Sequence, residues 1–156
     1  MEQAANMGID GMIVGNNTIK NLVGYVTGTT GWSLPSAESN VALVAGFENR
    51  ETVFDRLADY VYANALALGF GGATPSISGS LAVTEFFGEL NVPIIENVPG
   101  IQSLSMDLAY RSSDYDLIGQ VETSRIGFTY LPTERIRVRA GINDAERAPT
   151  IANLYY

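Results

Sequence analysis

Ser103 to Arg111 reads SLSMDLAYR, and this stretch decides the fold. Leu104, Met106, Leu108 and Tyr110 fall on one side of an extended chain, and Ser105, Asp107, Ala109 and Arg111 on the other. Successive side chains of a strand point to opposite faces, so this spacing predicts a strand with one apolar and one polar face. The same period recurs downstream. In TSRIGFTY, Ile126, Phe128 and Tyr130 oppose Arg125, Gly127 and Thr129. In RIRVRAGIN, Ile136, Val138, Ala140 and Ile142 oppose Arg135, Arg137, Arg139 and Gly141.

Upstream the pattern is fainter. AVTEFFGELNV sets Phe86, Leu90 and Val92, with Ala82, Thr84 and Gly88, against Val83, Glu85, Phe87, Glu89 and Asn91. NVALVAGFENR sets Val41, Leu43, Ala45 and Phe47 against Ala42, Val44, Gly46, Glu48 and Arg50. A first strand is expected near Thr18 to Thr27. The total is about six strands of about ten residues each, with no internal repeat. Breaker-rich connections are expected at Pro35–Ser39, Leu57–Gly79, Pro93–Gln102, Ser112–Gln120 and Leu131–Glu134. FDRLADYVYANALAL spaces its apolar residues at helical intervals, and we read it as strand to about Arg56 followed by a loop carrying a helical turn or two.

Composition limits the chemistry. The chain has 156 residues, a net charge of −8, and neither cysteine nor histidine. The acidic balance argues against a nucleic-acid partner, since phosphate binding needs a basic face. The missing Cys and His remove the usual nucleophile–base pairs and the favoured ligands of most transition metals. No enzyme activity, cofactor or metal is expected. No apolar run of 18 or more residues is present, so no transmembrane helix is predicted, and MEQAANMGID lacks the features of a signal peptide.

Alternation alone fits a soluble antiparallel sandwich. Three features point instead to a membrane wall. Aromatic residues sit near strand ends on the apolar faces (Phe47, Phe86, Tyr110, Tyr130). Charge sits in mid-strand on the polar faces (Glu85, Glu89, Asp107, Arg125, Arg137, Arg139). A strand of about ten residues, tilted about 45°, spans roughly 24 Å, close to the apolar band of an outer-membrane barrel. Other motifs are weak. GFGGAT lacks the third glycine and the βαβ unit of a dinucleotide loop, and DYDLIG lacks the final glutamate of a calcium loop, where Arg125 stands. Asn16-Asn17-Thr18 is a glycosylation pattern common by chance, and the Glu85/Glu89 carboxylate pair has no other support as a sugar-cleaving site.

The order of motifs is more specific than any one of them. GFENRET (Gly46–Thr52), SGSLAVTEFFGELNVPII (Ser78–Ile95), LSMDLAYRSSDYDLIG (Leu104–Gly119) and SRIGFTYLPTERIRVRAGINDAERAPTIANLYY (Ser124–Tyr156) follow one another. Over about Val41 to Tyr156 the chain resembles the barrel of TonB-dependent outer-membrane receptors. Glu85, Glu89, Leu90, Pro93, Arg111, Asp114, Tyr115, Gly119, Gly127, Pro132, Arg137, Arg139, Arg147, Ala148, Pro149, Leu154 and Tyr155 carry the match. Asp144-Ala145-Glu146 departs from the family pattern, and Ala58–Leu68 is more apolar than the family's usual loop.

The resemblance implies an all-β antiparallel meander forming part of a 22-stranded transmembrane barrel, with the plug domain and the remaining strands absent from residues 1–156. It implies import of a scarce nutrient across the bacterial outer membrane: a ferric siderophore, a cobalamin or a glycan. The implied partners are outer-membrane lipid, the TonB complex acting through the plug, and a small-molecule or glycan ligand. Glu85, Glu89, Asp107, Arg111, Arg125, Arg137 and Arg139 are expected to face the lumen, chiefly as cross-strand partners, and Arg147-Ala148-Pro149 to leave the sheet for an extracellular loop. Two alternatives stand beside this reading. One is a complete eight-stranded barrel with a strand hidden in Met1–Gly15 or Tyr60–Leu68. The other is a soluble β-sandwich carbohydrate-binding module that buries Met106, Phe128 and Val138 under a second sheet.

Overall fold

The computed structural model describes residues 10–67, 69 and 71–155. Six strands run in chain order as one antiparallel meander: β1 (Ile13–Thr29), β2 (Ala42–Ala58), β3 (Ile77–Val98), β4 (Ile101–Tyr115), β5 (Gly119–Thr133) and β6 (Ile136–Asp144). Two short helices interrupt it: α1 (Tyr60–Ala63) between β2 and β3, and α2 (Ile151–Tyr155) after β6. The strand count matches the alternation, but five of the six strands are longer than ten residues, at 17, 17, 22, 15 and 15, and β6 has 9.

The extra length comes from segments that read as connections. VPIIENVPGIQ keeps pairing through Val98, with an irregularity at Ile94 between Pro93 and Ile95, and turns only at residues 99–100. Proline has no N–H to give the ladder, and the register shift absorbs that loss. Gly100 takes φ +82° and Asn97 φ +58°, left-handed values that Gly and Asn tolerate. Pro132 likewise stays inside β5, where the register shifts between Tyr130 and Thr133. Ser112–Gln120 shrinks to a turn at residues 116–118, closed by Ala82 N–H donating to Asp116 Oδ1 at 3.2 Å.

Two compact units divide the chain, one formed by residues 1–20, 51–81 and 149–156 and the other by residues 21–50 and 82–148. In the first, β2 ends at Ala58 and Asp59 caps α1 by accepting from Tyr62 N–H at 3.1 Å. Residues 60–67 thus hold helix and turn, not the hidden strand of an eight-stranded barrel. Met1–Gly15 lies mostly outside the described residues. GFGGAT also lies partly outside them. In the same unit, α2 packs against the start of β3: Ile77 and Ile151 are buried, and a Cβ on Gly79 would lie 2.5 Å from the Tyr155 ring. Tyr155 Oη donates to Ser80 O at 3.3 Å.

Core is scarce. Among the described residues only Val41, Ile77, Val83 and Ile151 are buried apolar side chains, and none is fully enclosed. The chain exposes 10975 Å2, against roughly 7,700 Å2 for a compact monomer of its mass. Phe128 and Val138 stand 43% and 52% exposed, and the described strands form a single sheet. The second layer that a β-sandwich requires is therefore absent among the described residues.

Candidate functional site

The antiparallel register builds the second unit's faces row by row. On one face Leu90, Leu108, Ile126 and Ile142 lie side by side across β3–β6, and Val92, Met106, Phe128 and Ala140 form the next row. Leu104, Tyr130 and Val138 follow. Phe86 and Tyr110 lie toward the other margin, 63% and 49% exposed. Tyr130 Oη reaches Gly100 O at 2.8 Å, fixing one aromatic at the turn margin. Gly24 and Phe47 belong to this face too, since a Cβ on Gly24 would strike the Phe47 ring at 2.7 Å.

The opposite face is polar. Its rows are Glu85–Ser113–Val121, Phe87–Arg111–Thr123, Glu89–Ala109–Arg125–Asn143, Asn91–Asp107–Gly127–Gly141 and Pro93–Ser105–Thr129–Arg139. Strand alternation therefore puts Glu85, Glu89, Asp107, Arg111, Arg125, Arg137 and Arg139 on this one face. A trough of ≈ 850 Å3 runs along it, lined by Glu89, Asp107, Arg125, Arg137 and Arg139 with Asn91, Ser103, Ser105, Thr129 and Asn143 among others.

The seven charged residues divide into two sets. Glu85 is 3% exposed and fully satisfied: Arg111 Nη1 lies 3.0 Å from its Oε2, and Ser113 Oγ donates to its Oε1 at 2.8 Å. Arg111 also sits over the Phe87 ring, 5.4 Å from its centroid, where the electron-rich face attracts the cation. Phe87 in turn fills the space above Gly46, where a Cβ would lie 2.6 Å from its ring. Asp107 accepts from Asn91 Nδ2 at 2.7 Å, and Glu48 pairs with Arg50 at 3.2 Å. The second set, Glu89, Arg125, Arg137 and Arg139, forms no ion pair among the described residues. Ser113, Phe87 and Gly46 were absent from the sequence reading of this site. Only their shared parity with Glu85 and Arg111 could have marked them.

A second polar cluster closes the turn margin. Glu96 Oε2 accepts the backbone N–H groups of Ser39 at 2.7 Å and Glu38 at 2.8 Å, and Glu96 N–H donates to Ser36 O at 3.0 Å. Ser36 Oγ donates to Ile94 O, Asn97 donates to Glu38 Oε2 at 3.1 Å, and Gln102 donates to Asn97 Oδ1 at 3.0 Å. The Ser39 amide, helped by that of Glu38, holds the Glu96 carboxyl below its usual pKa range, outweighing partial desolvation. Glu96 sits in a segment that reads as an ordinary loop, so nothing in the sequence marked this clamp.

No group of three or more His, Cys, Asp or Glu side chains is placed to hold a metal among the described residues. Arg147, Ala148 and Pro149 lie in the stretch between β6 and α2. Among the described residues no helix is long and apolar enough to cross a membrane, which says nothing of strands. A family model described as "TonB dependent receptor-like, beta-barrel" matches residues 5–156. No curated protein and no solved structure matches the chain.

Proposed function

Since the chain belongs to the TonB-dependent receptor β-barrel family, we propose that it forms an arc of barrel wall in a receptor that imports a scarce nutrient across the outer membrane with energy delivered through TonB. The family is one of receptors and transporters, and no catalytic step is assigned to this chain. The observation that carries the reading is the distribution of exposure. Val92, Met106, Phe128 and Ala140 form an apolar row with like rows on either side, while the charged residues gather on the other face. A soluble protein does not leave an apolar band of this extent to water, whereas a bilayer requires it.

On this reading the apolar rows face lipid, and the trough faces the lumen and whatever fills it. Phe86 and Tyr110 stand at one interface, and Tyr130 near the other. β1 and β6 each have one neighbour in the sheet. Unpaired backbone groups are not tolerated in hydrocarbon, so the arc needs further strands for closure, consistent with a 22-stranded barrel. Residues 99–100 and 134–135 are periplasmic turns, and the connections at residues 59–76 and 116–118 lie on the extracellular side. A ferric siderophore, a cobalamin or a glycan is the class of cargo.

The test is fractionation and folding of the full-length receptor. It is expected in outer-membrane fractions as a heat-modifiable band, and import of its cargo is expected to stop when TonB is deleted. Residues 1–156 alone are expected to aggregate in plain buffer. A monomeric, cooperatively folded product of that chain without detergent would overturn the membrane reading.

A further inference from the structure

β3 outreaches its neighbour. The β3–β4 ladder begins at Val83, which faces Tyr115. Asp116 closes it: Ala82 N–H donates to Asp116 Oδ1 at 3.2 Å, and Asp116 N–H donates to Ala82 O at 3.1 Å. Ile77–Leu81 continue as strand beyond that point. β2 stays beside them, with Ser78 Oγ donating to Asp55 Oδ1 at 2.6 Å. The other side of Ile77–Leu81 has no strand among the described residues. Backbone groups alternate in direction along a strand, so Ser78 and Ser80 share the direction of Ala82 and turn both N–H and C=O to the bare side. That edge runs about 16 Å.

The edge lacks the usual guards. Proteins blunt exposed strand edges with charge, proline, a bulge or a covering element. SISGSLA (Ser76–Ala82) has no charge and no proline, and Ser78 and Ser80 are exposed. Its one cover among the described residues is α2. Gly79 makes the seat, since its Cβ would stand 2.5 Å from Tyr155 Cε2, and Tyr155 Oη donates to Ser80 O at 3.3 Å. A side-chain hydroxyl thus stands on an acceptor that a neighbouring strand would use. The cover is slight: α2 has five residues, its buried anchor is Ile151, and Tyr155 itself is 42% exposed. The Ser80 N–H and both backbone groups of Ser78 have no backbone partner on that side among the described residues.

We infer that Ile77–Leu81 is a strand-addition site, at which an extended polypeptide segment of another protein pairs with β3, and that Tyr155 is the clasp it displaces. A row of alternating backbone donors and acceptors is complemented by another backbone. The incoming segment takes, along Ile77–Leu81, the side of β3 that β4 takes from Val83 onward. Displacing the Tyr155 hydroxyl frees Ser80 O, so the N–H and C=O of both Ser78 and Ser80 become available to the added strand. Main-chain bonds supply the affinity, and the small side chains of this edge leave the incoming sequence little restricted. That the edge stands at the cell surface rests on the barrel-wall reading above, whereas strand addition rests on the register alone.

The test uses the full-length receptor in detergent. The probe is a short fluorescein-labelled peptide of alternating threonine and valine with lysine at both ends, read by fluorescence anisotropy. Its control carries two adjacent central prolines, which strip a donor from either edge of the peptide. The first peptide is expected to bind, and the control not. Tyr155→Phe keeps the ring in its seat but releases Ser80 O, and is expected to tighten binding roughly 2- to 10-fold, the worth of one hydrogen bond. Gly79→Ala evicts the ring and is expected to act in the same direction. Ser80→Pro removes an N–H that points away from β2, the position at which an edge strand tolerates proline, and is expected to abolish binding. Where Ser80→Pro fails to fold, Ser78→Pro makes the same test. Equal binding by wild type and the proline variant overturns the inference, and so do equal binding of the two peptides, no binding by Tyr155→Phe, and binding by Tyr155→Phe no tighter than by wild type. A receptor dimer that the proline variant dissolves assigns the edge to a second copy and also overturns it. Heat-modifiability and outer-membrane fractionation of the same variants report on folding and on the receptor reading. If those hold while binding fails, only the strand-addition site falls.

Discussion

Replacing Phe128 by arginine separates a lipid-facing wall from every soluble alternative. Phe128 sits in the row Val92–Met106–Phe128–Ala140, with apolar rows on both sides, so it lies near the middle of the band. Arginine at the midplane of an outer-membrane barrel's lipid face costs about 2–4 kcal/mol, falling to about 0–1 kcal/mol at the interface. Tyr110 stands four residues from the Met106 row, about 13 Å along the strand and about 10 Å in depth once tilt is allowed for. Phe128→Arg should therefore lower the folding equilibrium roughly 30- to 700-fold, and Tyr110→Arg by less than about tenfold. Thr129→Arg, one residue along on the polar face, should resemble the interface variant, because its charge reaches water. The assay is urea titration of the full-length receptor folded into vesicles, followed by protease protection and heat-modifiability. The lipid-facing assignment is refuted if Phe128→Arg costs no more than Thr129→Arg, or if Tyr110→Arg is as damaging as Phe128→Arg.

Other outcomes follow from the polar clusters and the close contacts. Arg111→Ala leaves the Glu85 carboxylate buried with only Ser113, and should cost about 1–3 kcal/mol in the same titration, less than a fully buried pair because Arg111 is partly exposed. Arg111→Ala/Glu85→Leu should recover part of that loss. Gly46→Val drives new atoms into Gly24 O and Tyr25 Cβ, both 2.7 Å from an added Cβ, and should destabilise by about 1–3 kcal/mol, whereas Gly88→Ala should be near neutral since the nearest atom is 3.8 Å away. Glu96 has a depressed folded-state pKa, so its contribution is present above the unfolded value of 4.5 and is lost as pH falls through the lower folded value. Hydrogen exchange at the Ser39 and Glu38 amides should accelerate in that acidic window in the wild type, and be fast and pH-independent there in Glu96→Gln once intrinsic exchange is corrected for. Unchanged protection in the variant would show that the carboxylate does not hold the turn.

Much of the fold was legible because β4, β5 and β6 alternate cleanly. SLSMDLAYR and RIRVRAGIN assign faces residue by residue, and the register keeps that assignment across β3–β6. Strand ends were not legible. Ile95, Glu96 and Val98 follow a proline and precede Pro99-Gly100, so the local signal is that of a loop. Pairing with β4 outweighs it, because ladder hydrogen bonds are set by the partner strand and one irregularity absorbs the proline. The polar face was legible as a set but not as pairs. Alternation gives which side Glu85 and Arg111 occupy, but only register shows that Ser113 completes their network and that Arg125 stands two strands from Glu89. The Gly79–Tyr155 seat joins residues far apart in sequence through one missing Cβ, and no local pattern encodes it.

The Glu96 clamp has a mechanical consequence. The turn between β1 and β2 is fastened to the end of β3 through Ser36, Glu38 and Ser39, and that end is fastened through Asn97 to Gln102 of β4. Adjacent turns are thus laced together instead of hanging as separate hairpins. Load applied to one of them is shared around the margin in the manner of hoop tension, and splaying two neighbouring strands means breaking several hydrogen bonds at once. On the barrel-wall reading proposed above, a rim laced in this way keeps its circumference while material inside it is pulled.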